Sequence, residues 1–247
     1  IYGTTLPFVT TSIATGSGGK PVVSSINGGI STFGTSSWTS HFPNGPNSNQ
    51  FTSVAIGPDG TVWGASGEGA GRGFYRRTDN VWKSYTTQNS ALPANEVYRV
   101  SIGCDGSLWA SIYGRGIVEI PGGTDVLDSA HVFGRNVGMV GIPGDQNYVV
   151  TSTVACDGQG NLWTSIVLAA DRRILAVRKA SGTWQTLPVI LNGTKLTSLM
   201  DRPVDLCLAV DGSDNLWATV RDAGFKGVIA MANHGRIDSV AAFHLTS

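Results

Sequence analysis

Charge is scarce in this chain. Charged side chains make up 14% of its 247 residues, and 17 Lys plus Arg balance 17 Asp plus Glu. A protein that follows a phosphate backbone needs a basic face, and a net charge of zero excludes a global one, so no nucleic-acid partner is expected. No apolar stretch approaches the roughly eighteen residues that a membrane span needs. Cysteine is nearly absent as well. Cys104, Cys156 and Cys207 form an odd set without Cys-x-x-Cys spacing, which argues against a disulfide framework and against a zinc site. The chain opens at Ile1 without an initiator Met or a signal-type segment, as a mature or partial chain would. In place of charge it has glycine, 33 residues, with abundant Ser and Thr and seven Trp. That balance excludes a helical bundle, a coiled coil and a disordered chain, and it suits a secreted or cell-surface β-protein. The length fits one all-β domain.

The chain repeats. Asp59-Gly60-Thr61-Val62-Trp63 returns as Asp105-Gly106-Ser107-Leu108-Trp109. It returns again, two residues longer, as Asp157-Gly158-Gln159-Gly160-Asn161-Leu162-Trp163 and Asp211-Gly212-Ser213-Asp214-Asn215-Leu216-Trp217. The Trp residues are 46, 54 and 54 apart. A worn fifth copy lies upstream, where Gly19-Lys20-Pro21-Val22 leads to Gly28-Gly29-Ile30. Each copy reads as four short strands, and all but the worn upstream one carry the Asp-Gly hairpin between the first and second. The expectation is therefore an all-β propeller of five four-stranded antiparallel blades, at about 1–45, 46–90, 91–140, 141–195 and 196–247. These blades close a ring or belong to a larger, for example seven-bladed, propeller. The repeat Trp is read as the filler between neighbouring blades, and the repeat Asp as the cap of its own turn. Asp211-Gly212-Ser213-Asp214-Asn215 lacks the sixth-position Gly and closing Glu of a calcium loop, so no metal and no cofactor are expected. Cys104 and Cys156 align at the end of the first strand of adjacent blades. Those strands should stand farther apart than the roughly 7 Å that a disulfide allows, so free thiols are expected.

The copy that holds Trp109, third from the N-terminus, is the most specific. Trp82-Lys83-Ser84-Tyr85-Thr86-Thr87-Gln88-Asn89-Ser90-Ala91-Leu92-Pro93-Ala94-Asn95-Glu96-Val97, then Asp105 to Ser111, then Gly114-Arg115-Gly116-Ile117, resembles the two-component-regulator propeller repeat. The resemblance implies a propeller with a binding role, as in periplasmic sensor ectodomains that respond to glycan fragments or in surface proteins of type IX secretion. Gly57-Pro58-Asp59-Gly60-Thr61-Val62-Trp63 is also similar to a motif of virginiamycin B lyase-like propellers. Their metal-bound, His-assisted site does not carry over, because His41, His131, His234 and His244 do not share a repeat position.

Candidate binding residues come from two kinds of loop at one mouth of such a ring. Arg72, Arg115, Arg172 and Lys226 align in the loops between second and third strands and would form a basic rim suited to carboxylate, sulfate or phosphate. Asn49, Asn95, Asn147 and Asp201 recur two residues before each first strand and read as Asx caps. Their neighbours Glu96, Gln146, Tyr148 and Arg202 differ between blades, so specificity is expected there, Glu96 and Tyr148 above all. There is no Gly-x-Ser-x-Gly elbow, and Glu68, Glu96 and Glu119 are the only Glu residues available for paired-carboxylate chemistry. The leading reading is a non-enzymatic propeller, secreted, periplasmic or on the cell surface, that binds a glycan, an anionic small molecule or a protein partner. A propeller enzyme, lyase or glycosidase, and a structural scaffold are the alternatives.

Overall fold

A computed structural model describes residues 10–25, 29–41, 45–48, 50–67, 71–121, 130–199, 208–222, 224–231 and 241–244. The chain divides into two units, Ile1–Gly45 and Pro46–Ser247. The first holds one antiparallel meander of β1 (Thr10–Thr15), β2 (Pro21–Ser25), β3 (Gly29–Phe33) and β4 (Trp38–His41). Its last hairpin packs Trp38 edge-on against Phe33, with ring centres 5.1 Å apart.

The second unit repeats this meander. Its first sheet is β5 (Ser53–Ile56), β6 (Val62–Ala65), β7 (Phe74–Thr78) and β8 (Val81–Tyr85). Next come β9 (Val97–Ile102), β10 (Leu108–Ile112), β11 (Gly116–Ile120) and β12 (His131–Phe133), then β13 (Thr151–Cys156), β14 (Leu162–Ile166), β15 (Leu175–Arg178) and β16 (Trp184–Leu187). The first strands are neighbours in series, with β5 beside β9, β9 beside β13, and β13 beside β19 (Leu208–Val210). The architecture is all-β, in antiparallel sheets that are mostly four-stranded.

The last sheet departs from the expected four strands. A hairpin of β17 (Ile190–Leu191) and β18 (Thr194–Lys195) joins β19, β20 (Leu216–Asp222), β21 (Phe225–Met231) and β22 (Ala241–His244) in a six-stranded sheet. β17 runs parallel to β22 and covers the edge that β22 would otherwise leave with unpaired backbone groups.

Successive side chains point to opposite faces of a strand, and β10, β11 and β14 are buried at every position because both of their faces are covered. Phe74, Tyr85, Val97, Val100 and Ile112 form the core between the first two sheets of this unit. Trp109, Trp163, Leu175, Leu216 and Ile229 belong to a larger core shared by the later three. Trp109 and Trp163 are fully buried, as expected of a filler, whereas Trp63 is only half-buried.

The hairpins that close the repeats show where sequence alignment slipped. The turn is closed by Gly57 N to Thr61 O, Gly103 N to Ser107 O, Asp157 N to Asn161 O, and Asp211 N to Asn215 O. Asp157 and Asp211 therefore match Gly57 and Gly103, not Asp59 and Asp105. In the later two repeats the carboxylate enters the turn two residues earlier. The left-handed position falls on Gly60 (φ 80°), Gly106 (φ 82°), Gly160 (φ 77°) and Asp214 (φ 60°).

This offset also overturns the expectation of free thiols. Cys156 ends β13, but Cys104 lies two residues beyond the end of β9, in the turn itself. It thereby reaches across to the next sheet, and Cys104 and Cys156 form a disulfide with Cα atoms 5.5 Å apart. Cys207 lies outside the described residues.

Candidate functional site

The end of the second unit opposite the Asp-Gly turns is built from loops that hold one another by backbone hydrogen bonds. Gly73, at the start of β7, donates its N–H to Asn95 O at 2.9 Å, and Gly116, at the start of β11, donates to Val149 O at 2.8 Å. Each thus ties a third strand to the segment entering the next sheet. Both glycines are left-handed, and a Cβ there would collide with the carbonyl of Tyr85 or Phe133 on the outermost strand.

Between the second and third of these sheets the loops line an open pocket of about 420 Å³. Glu96 comes from the segment entering β9. Tyr113 and Arg115 come from the β10–β11 hairpin, and Asp145, Asn147 and Tyr148 come from the segment entering β13. The volume falls within the roughly 300–1,000 Å³ of small-molecule sites. Tyr148 is held over the hairpin at Gly114, where any Cβ would strike its ring, and it meets Tyr113 edge-on at 5.3 Å and 89°. Tyr98 lies behind Tyr113 at 4.9 Å. Tyr113 N donates to Glu96 O at 3.0 Å, Arg115 N to Ile112 O at 3.0 Å, and Asn147 N to the Asp145 carboxylate at 3.0 Å. Arg115 is exposed, and Glu96 and Tyr148 are half-buried.

The six candidate residues of the sequence fall into two sets. Glu96, Arg115 and Tyr148 line this one pocket, whereas Arg72, Arg172 and Lys226 do not. Arg72 is exposed, with its N–H on Ser66 Oγ at 3.2 Å. Arg172 is exposed at a left-handed turn position in the longer loop between β14 and β15. Lys226 is not at a hairpin tip at all. β20 and β21 continue to Asp222 and Phe225, which places Lys226 inside β21 opposite Arg221. The expected Asx caps also differ from one another. Asn95 Oδ1 accepts the N–H of Thr87 at 2.8 Å, Asn147 lines the pocket, and Asn49, Asp201 and Arg202 lie outside the described residues. Sequence reasoning passed over Tyr113 and Asp145. Their signal was the position of Tyr113 two residues before Arg115, and of Asp145 three before Tyr148.

At the turn end the repeat carboxylates do structural work. Asp59 accepts from the N–H and hydroxyl of Thr61, and Asp105 from those of Ser107. Asp211 accepts the indole N–H of Trp217 at 2.8 Å as well as bonds from Ser213 and Asn215. These donors favour the ionised form and hold all three carboxyls below the usual carboxylate range. Elsewhere, the buried Glu119 on β11 lies 3.3 Å from His131 and 3.8 Å from Arg178 of the next sheet, whose guanidinium lies over Trp109. This is a structural tie between sheets. Among the described residues no group of His, Cys, Asp and Glu could hold a metal ion.

No protein-family model matches the sequence, and no curated protein matches it. Solved structures do. A streptogramin B lyase is similar over 96% of this chain and 69% of its own, at 13% identity and a TM-score of 0.54. The extracellular domain of a hybrid two-component-system protein of B. thetaiotaomicron is similar over 97% of this chain and 33% of its own, at 14% identity and a TM-score of 0.54. The fold is of propeller type. It is shared with the extracellular domain of a two-component-system protein and also with a lyase, so at these identities fold alone does not choose between them. The chain spans about a third of that extracellular domain's length.

Proposed function

We propose that the protein is a non-enzymatic recognition module that binds a glycan-like or oxyanion-bearing ligand, or the corresponding part of a protein partner, in the Glu96–Arg115–Tyr148 pocket. The observation that carries this reading is the convergence of three separate segments, in which Glu96 and Tyr148, each different from its counterparts in other repeats, meet one member of the recurring cation series, Arg115. A scaffold repeats, and a site built where the repeat is broken is placed to discriminate. Arg115 offers a fork for a carboxylate, sulfate or phosphate, and the two tyrosines offer faces for a sugar ring or an apolar body. The disulfide supports a place in the oxidising environment outside the cytoplasm, where such bonds persist. No described helix is long and apolar enough to cross a membrane.

The test is a thermal-shift and calorimetric screen of the whole chain against oligosaccharides, organic acids and sulfated sugars, with Arg115→Glu and Tyr148→Ala alongside. Binding that both variants abolish, without a change in their own melting temperature, supports the reading. Steady turnover of a bound glycoside or lactone, dependent on Glu96 or Asp145, would replace it with the enzymatic one. Two carboxylates in one pocket are the observation that keeps that alternative in view.

A further inference from the structure

The pocket carries both signs of charge, and they do not neutralise one another. Glu96 and Asp145 bring carboxylates and Arg115 a guanidinium to the same 420 Å³. Among the described residues, neither the Glu96 carboxylate nor the Arg115 guanidinium makes an ion pair, with each other or with anything else. Asp145 is partly engaged by the N–H of Asn147, which leaves its second oxygen for another donor. The tyrosine pair lines the same pocket, with Tyr148 standing edge-on to Tyr113.

Each simple class of ligand meets a penalty here. A pure anion that reaches Arg115 also enters the field of two carboxylates, and like charges in a partly desolvated pocket repel. A pure cation that reaches Glu96 faces Arg115. A neutral sugar satisfies hydrogen bonds but offers no charge to either sign, so it forgoes the stronger charge-assisted bonds. A ligand with both signs meets none of these costs. Its oxyanion takes the Arg115 fork, where two parallel N–H bonds can form. Its ammonium takes the acidic side, and the tyrosine faces favour it too through the cation–π attraction.

We propose that the ligand of this pocket is a small zwitterion, with an ammonium and a carboxylate on an apolar body. The inference rests on the recognition reading above and narrows it: the carboxylate on Arg115 is the oxyanion of that reading, and the second charge is new.

Isothermal titration of the whole chain separates the two levels. The probes are L-leucine and L-phenylalanine, their N-acetyl derivatives without the ammonium, their amides without the carboxylate, and a neutral disaccharide, maltose. A free amino acid should bind at least tenfold more tightly than either single-charge derivative. Arg115→Gln should erase the preference for acid over amide while keeping the preference for the free amine. Glu96→Gln should do the reverse. Arg115 is exposed and Glu96 is half-buried, and Glu96→Gln keeps the size of the side chain, so both variants should fold, which unchanged melting temperatures check. Binding of maltose, or of an N-acetyl derivative, as tight as that of the free amino acids overturns the zwitterion and leaves the pocket a recognition site. If no probe of any class binds, the zwitterion falls, and the recognition reading falls only if the wider screen of oligosaccharides, organic acids and sulfated sugars is empty too.

Discussion

The indole N–H of Trp163 donates to the carboxylate of Asp157 at 2.8 Å, deep in the core shared by the later sheets. Two features that repeat along the sequence for separate reasons, an aromatic filler and a turn cap, are thus one hydrogen-bonded unit. Asp157 also accepts the N–H of Gln159 at 3.0 Å and both the backbone and side-chain N–H of Asn161 at 2.8 and 2.9 Å. In the repeat before it the same need is met through a relay, Trp109 Nε1 to Ser107 Oγ to Asp105. A carboxylate at position 103 has no room there, since even a Cβ on Gly103 would collide with the indole of Trp109.

Removing that carboxylate should be costly. Asp157→Ala leaves several buried donors unsatisfied, at about 1–3 kcal/mol each. Urea unfolding should show a loss larger than that of Gln159→Ala, which removes an exposed side chain. Equal losses would mean that the indole bond contributes nothing.

The filler role of Trp109 makes a second prediction. Its ring is 1% exposed and stacks on Phe133 at 5.7 Å, with Trp184 edge-on at 6.3 Å. Trp109→Ala should cost roughly 3–5 kcal/mol, as expected for a buried large aromatic. Chemical denaturation measures it, and a cost under about 1 kcal/mol would contradict the packing described.

Acid should weaken the turn end. Asp59, Asp105 and Asp211 have folded-state pKa values below their unfolded ones because each accepts hydrogen bonds as a carboxylate. Their contribution is fully present above the ordinary Asp pKa of about 4 and is lost as pH falls through the lower folded values. Melting temperature should fall below pH 4. In Asp105→Asn the fall should be shallower, and an unchanged slope in that variant would remove Asp105 from the account.

The disulfide is open to direct measurement. In unreduced protein Cys104 and Cys156 should resist alkylation under denaturing conditions and react once a dithiol is added. Cys104→Ser with Cys156→Ser should lower stability by about 2–4 kcal/mol, since the bond closes a long loop in the unfolded chain. Free thiols by mass spectrometry would restore the expectation drawn from the sequence.

Much of the fold is legible because its signals are local. A hairpin that needs a left-handed residue advertises it as Gly within a few positions, and strands that bury one face alternate apolar and polar residues. The 46- and 54-residue Trp spacings therefore locate the sheets. The short β17–β18 hairpin was less visible. Its two-residue strands make little pattern of their own, and its place is decided by pairing with β22, far away in sequence. Of the site, the segments were legible but the membership was not. Arg72, Arg115, Arg172 and Lys226 align by their neighbouring residues. Yet the length of each hairpin decides where the side chain emerges, and the β20–β21 hairpin is long enough to carry Lys226 into a strand.

The sequence by itself determined that this is an all-β chain of repeated antiparallel sheets. Left-handed turn positions and the hairpins they close are set by residues close together, and no distant partner is needed to satisfy them. Only the tertiary structure decided what meets across sheets. A two-residue offset between equivalent turns moves the carboxylates of Asp157 and Asp211 onto the indoles of Trp163 and Trp217 and brings Cys104 to Cys156. The hydrogen bonds of Gly73 and Gly116 to the next entering segment bring Glu96, Arg115 and Tyr148 around one pocket. Such contacts depend on register summed over whole loops. A shift of one residue turns a side chain to the opposite face, so no local pattern encodes them.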